Sequence, residues 1–125
     1  MINNLNIEIW GRNYDLRVEY DCYDNETVTD AQLRAVEGLS AHPELISVSK
    51  EQVEDFCREQ VQQDFENNKK DNVFSYIKPE YLFVKHEKNP RVAIMCKYKY
   101  DIEHGIAIVF FSDGKIDVGT QDIIL

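Results

Sequence analysis

The chain has 125 residues, 43% hydrophobic and 11% aromatic, a size and composition that suit one domain with one packed core. Gly and Pro are scarce, at 5 and 3, and no apolar run approaches the roughly 18 to 20 residues that span a bilayer, so disorder and a membrane span are both disfavoured. The net charge of −9 is uneven: residues 1–66 hold 15 acidic and 5 basic side chains, residues 67–125 hold 8 and 9, and the acidic half would repel a nucleic-acid backbone or an anionic membrane.

The N-terminus, MINNLNIEIWGRN, lacks a basic stretch followed by an apolar one, so a cytoplasmic protein is expected. Leu5, Ile7 and Ile9 alternate with polar neighbours, as in a half-buried strand. Gly11-Arg12-Asn13 reads as a turn, and Tyr14, Leu16, Val18 and Tyr20 alternate again, so the two segments are expected to form a hairpin. Asp21–Thr27 reads as a polar loop. Thr29 and Gln32 have the spacing of a capping box and predict a helix carrying Leu33, Val36 and Leu39, ended by Gly38 and His42-Pro43. Ser49 and Gln52 predict a second helix with Val53, Phe56, Cys57, Val61 and Phe65 on its inner face. A polar loop at Asn67–Asn72 should close it. Strands are then predicted over Tyr81–His86, Arg91–Tyr100, Ile106–Phe111 and Lys115–Val118. The order β-β-α-α-β-β-β-β implies a single α+β domain over 1–125, with an antiparallel sheet and both helices on one face.

The three cysteines, Cys22, Cys57 and Cys96, form no CxxC pair and suit reduced thiols; Cys57 and Cys96 sit among apolar residues and read as buried. No metal or other cofactor is expected. His42 reads as a helix-exit residue and His86 as a solvated strand end. Lys97 and Lys99 alternate with Tyr98 and Tyr100, a pattern that a half-buried strand explains without a nucleic-acid ligand.

The segment from Tyr98 to Leu125 concentrates the remaining signals. Asp113-Gly114 predicts a two-residue hairpin turn pairing Ser112 with Lys115. That register would set Gly105 opposite Asp122, with His104 beside it. A carboxylate that orients a histidine occurs in catalytic sites, and Asp101, His104 and Asp122 are the set a metal-assisted hydrolase would use. No nucleophile accompanies them. Glu103, His104, Gly105, Asp113, Gly114 and Asp122 are therefore expected to serve as a structural motif, because such residues satisfy the hydrogen bonds of turns. Ile106, Ile108 and Phe110 share one face of a strand that is apolar on both faces, so one face offers an exposed contact patch if nothing covers it.

Glu103-His104-Gly105, an apolar strand, Asp113-Gly114-Lys115, then Val118-Gly119 and Gln121-Asp122-Ile123-Ile124-Leu125 resemble the C-terminal signature of a family of small bacterial domains of unknown function. The N-terminal hairpin and the Thr29-x-x-Gln32 helix start are similar too. Where such domains often carry Trp and Asp before the EHG, this chain has Tyr100, Asp101 and Ile102. Some similar proteins lie near polymorphic-toxin loci, so the resemblance implies an immunity or interaction role and supplies no catalytic residues. Together with the acidic charge, this predicts a non-catalytic module that binds a basic protein, such as a toxin domain. Glu51, Glu54, Asp55, Glu59 and Asp64 are its expected contact residues.

Overall fold

The computed structural model describes residues 2–67 and 73–125, with residues 61–67 described by their backbone alone. The elements run β1 (Asn4–Ile9), β2 (Arg12–Tyr20), α1 (Asp30–Ala41), α2 (Pro43–Asn67), a 3-10 turn (Val73–Ser75), β3 (Ile77–Val84), β4 (Val92–Tyr98), β5 (Ile106–Phe110), β6 (Ile116–Gly119) and a last 3-10 turn (Gln121–Ile123). This is the α+β order expected from the sequence, with the six strands side by side in chain order. One pair corrects the all-antiparallel expectation. β2 and β3 run parallel, with Arg17 opposite Tyr81 and Tyr20 opposite Val84. Parallel neighbours need a long connection, and α1 with α2 supplies it. The other neighbouring pairs are antiparallel.

The first hairpin turns one residue earlier than predicted. Ile9 pairs with Arg12, leaving Trp10 and Gly11 as the turn. Both have positive φ, 49° and 90°, as a type I′ turn requires. Tryptophan is ill suited to that conformation. Its indole Nε1 donates to the Ile46 carbonyl at 3.0 Å and lies 3.3 Å from the Ser49 hydroxyl, so an anchor on α2 accompanies the strained turn.

Thr29 caps α1 as expected: its hydroxyl accepts from the Gln32 backbone N–H, and Gln32 Oε1 accepts from the Thr29 N–H at 3.0 Å. The second capping box does not form. α2 starts at Pro43, directly after His42 closes α1, and Ser49 lies buried inside the helix, donating to the Ile46 carbonyl at 2.6 Å. Proline at the first helical position lacks only an N–H that would have no intrahelical partner. α2 continues through Asn67, the first residue of the predicted loop; residues 68–72 and the side chains of Val61, Asp64 and Phe65 lie outside the described residues.

Val36 and Leu39 of α1 and Ile46, Val53 and Cys57 of α2 pack on the sheet face formed by Leu16, Val18, Leu82, Ile94, Ile106 and Ile108. On the opposite face, Ala93, Met95, Ala107 and Val109 form a second buried cluster with Ile124 of the C-terminal segment, flanked by Tyr81, Phe83 and Phe111. β5 is therefore buried on both faces and leaves no open patch. β3 begins at Ile77, before the predicted Tyr81, and its register shifts between Pro79 and Tyr81, where a proline without an N–H is tolerated. It ends at Val84, so His86 lies beyond the strand; its ring faces Glu26 at 3.6 Å and is only partly exposed, not fully solvated.

β5 and β6 are joined by a three-residue loop, not the predicted two-residue turn. The Phe111 N–H donates to the Lys115 carbonyl at 2.9 Å, and in Ser112-Asp113-Gly114 only Gly114 has a positive φ, 91°. The Asp113 carboxylate accepts from the Lys115 N–H at 3.0 Å. The extra residue moves the register by one and sets Ala107 opposite Gly119. Among the described residues, no helix is long and apolar enough to cross a membrane.

Candidate functional site

Two regions concentrate chemistry-bearing side chains: the corner joining β4, β5 and the C-terminal segment, and the outer face of α2. The corner is built on the Asp101–Gly105 turn. The Gly105 N–H donates to the Asp101 carbonyl at 2.9 Å and the His104 N–H to the Asp101 carboxylate at 3.2 Å. The His104 ring meets the same carboxylate, with Nδ1 3.0 Å from Oδ1. With the shifted register, Gly105 does not face Asp122. The Gln121 N–H instead donates to the His104 carbonyl at 3.1 Å, and the Asp122 carboxylate accepts from the Thr120 hydroxyl. The structure thus joins His104 to Asp101 and Asp122 to Thr120, while Glu103 is exposed.

Two residues of this corner were not recognised as close neighbours in the sequence. Gln121 Nε2 donates to the Cys96 carbonyl at 3.1 Å, tying the C-terminal segment to β4. Gly105, at φ +62°, lies so close that a Cβ there would stand 2.7 Å from both the Cys96 oxygen and Gln121 Nε2. Neither contact leaves a local pattern, since each joins residues distant along the chain.

The hydrogen bond that the His104 ring donates to the Asp101 carboxylate, followed by the charge of Asp101 and those of Glu103 and Asp122, raises the His104 pKa above its usual 6.5. The Thr120 hydroxyl, the residue's own N–H and the His104 charge lower that of Asp122. A raised histidine pKa stabilises the fold fully below the unfolded value, and that contribution is lost as pH rises through the folded value. The melting-temperature advantage of the native protein over His104→Asn should therefore be full at pH values well below the usual histidine pKa of 6.5 and shrink as pH rises through the raised folded value. A pH-independent difference would remove the ion pair from the account of this turn. Among the described residues, no three His, Cys, Asp or Glu side chains are grouped so as to hold a metal ion.

On α2, Glu51, Asp55 and Glu59 are exposed and Glu54 is half-buried. Glu51, Glu54 and Asp55 share one shallow depression with Ser47, Val48, Lys50 and Arg58, and Arg58 pairs with Asp55 at 2.9 Å. In the 21–27 loop Asp24 is exposed, but the other two acids are engaged differently. Asp21 faces Lys85 at 3.5 Å, and Glu26 faces His86 and accepts from the Tyr23 N–H at 2.8 Å, so they fasten the loop to the end of β3.

Cys57 and Cys96 are buried, and burial pushes the Cys57 thiol up to about 11 and Cys96 higher still, so both stay protonated and poorly nucleophilic at neutral pH. Tyr98 is buried against this region and its ring is not available for stacking on a base. His42 closes α1 and its ring faces Glu44 at 3.0 Å. No curated protein and no solved structure matches the chain. The model of the domain of unknown function DUF6985 matches residues 2–125, and the chain belongs to that family.

Proposed function

We propose that this protein is a non-catalytic, cytoplasmic binding module for a basic protein, acting as an immunity protein that caps a cationic toxin domain. The observation that supports this is the outer face of α2, where Glu51, Asp55 and Glu59 are exposed within one helix and Glu54 lies beside them. A nuclease-like toxin must be basic to hold phosphate, so an inhibitor gains from the opposite sign. Close charge pairs across such an interface are worth roughly 1.5 to 7 kcal/mol, and charges at the rim mainly accelerate encounter. Asp21 and Glu26 of the 21–27 loop belong less to this surface, because they face Lys85 and His86.

The test first searches the genes neighbouring this one for a basic toxin-like domain, whose absence would itself count against the proposal, and then follows association with such a domain by stopped-flow fluorescence. Changing Glu51, Glu54 and Glu59 together to lysine spares the Asp55–Arg58 pair. It should slow association about tenfold or more at low salt and flatten the dependence on ionic strength. Unchanged rates and salt dependence, with the fold intact by circular dichroism, would reduce this face to a solubility surface.

A further inference from the structure

The geometry points to a binding site for a small apolar carboxylate, such as an aryl- or alkyl-alkanoate, in the groove between α1 and the β3–β4 and β5–β6 loops. The groove encloses about 590 Å³, within the range of small-molecule sites. Leu39, Val92 and Phe110 line it and are almost fully buried, which gives it an apolar floor. Along α1 its wall is made of small residues, Ala31, Ala35 and Gly38.

Two further observations indicate what the groove would hold. First, Arg34 and Lys88 line it, both exposed, and neither has an ion-pair partner among the described residues. Of the acids there, Glu44 faces His42, and Asp113 accepts from the Lys115 N–H. Glu44 and Asp113 keep their negative charges, so the lining is formally balanced; Arg34 and Lys88, the cations of the groove without an ion-pair partner among the described residues, are what a carboxylate on an otherwise apolar ligand would meet. Second, Gly38 lies inside α1, where glycine is markedly less favourable than alanine. Its φ is not positive, and a Cβ there would meet nothing within 4 Å. The described fold does not require a glycine at this position; what its missing side chain does is widen the groove.

The test is an NMR titration of the full chain with phenylbutyrate, its neutral amide and phenylbutylamine. Phenylbutyrate should shift the amides of Gly38, Leu39 and Phe110 saturably and bind about tenfold or more tightly than the amide, with the amine weaker still. Arg34→Glu with Lys88→Glu should weaken phenylbutyrate binding by about tenfold or more and leave amide binding nearly unchanged. Gly38→Leu should fill the groove and abolish binding of both without lowering the melting temperature. No saturable shift with phenylbutyrate, equal binding of acid and amide, or undiminished binding to Gly38→Leu would each overturn the proposal. If Gly38→Leu is misfolded, the Arg34/Lys88 double reversal decides alone. A concentration-dependent self-association centred on these amides, in place of ligand binding, would also overturn it.

Discussion

Gly105→Ala is expected to destabilise the protein by about 3 kcal/mol or more, whereas Gly114→Ala should cost only about 1 kcal/mol. Both glycines have positive φ, +62° and +91°, so the backbone penalty for an L side chain is similar at the two sites. The surroundings differ. At Gly114 a Cβ meets nothing within 4 Å; at Gly105 it would stand 2.7 Å from the Cys96 carbonyl oxygen. That oxygen belongs to β4, which is paired on both sides, to β3 and to β5, and cannot easily recede. Nor can the other neighbour give way freely, because Gln121 Nε2 donates to the same oxygen and moving it would untie the C-terminal segment. Urea unfolding of the two variants measures the difference directly. Equal losses would mean that the corner relaxes, and the close approach of Gly105 to β4 would then carry no energetic weight.

This corner also shows why parts of the fold were legible in the sequence and others were not. Strand periodicity is a local property, and Ile7 with Ile9, Leu16 with Val18, and Val92 through Tyr98 gave the strands and their inward faces correctly. Partner choice is not local. Nothing in the residues of β2 states that it pairs with β3 across α1 and α2, and that pairing is the one parallel ladder of the sheet. Where two local signals competed, the stronger packing prevailed. Ser49 and Gln52 have the spacing of a helix start, yet the helix already runs from Pro43, and burial beneath Trp10 makes Ser49 a core residue. The final hairpin failed by one residue for a similar reason. Asp113-Gly114 suits a two-residue turn, but only Gly114 takes a positive φ, and the Asp113 carboxylate stabilises the three-residue alternative by accepting from the Lys115 N–H. That single residue sets Gln121, not Asp122, against the His104–Gly105 backbone, and the His104 ring meets the Asp101 carboxylate while Asp122 stays near enough to add its charge.

The acidic face of α2 was legible in another sense. Helical spacing alone puts Glu51, Asp55 and Glu59 on one side, since residues four apart are neighbours on a helix surface. Their exposure follows from Val53 and Cys57 turning inward. The sequence could not reveal that the equally acidic 21–27 loop is held by Lys85 and His86, which lie more than fifty residues further on and approach only through the β2–β3 pairing.

Gln32→Leu is expected to cost about 3 kcal/mol, several times the loss from a cap alone. Gln32 is fully buried, and its amide serves both sides of a junction. Oε1 accepts from the Thr29 N–H at 3.0 Å, while Nε2 lies 3.1 Å from the Asp21 carbonyl and 3.2 Å from the Val84 carbonyl. It thereby joins the start of α1, the loop leaving β2 and the end of β3, the three segments that the parallel pairing brings together. Leucine keeps the volume and leaves these groups without their partner in a site shielded from water. The Val84 carbonyl still accepts from the Asp21 N–H at 2.8 Å, which limits the loss. Thr29→Ala removes only the hydroxyl side of the capping box and should cost about 1 kcal/mol. Hydrogen exchange distinguishes the two variants further: Gln32→Leu should speed exchange at Asp21 and Leu33, whereas Thr29→Ala should affect the first turn of α1 alone. If the two variants lose the same stability and exchange alike, Gln32 is a cap residue only, and the crossover is held by its apolar packing without this amide.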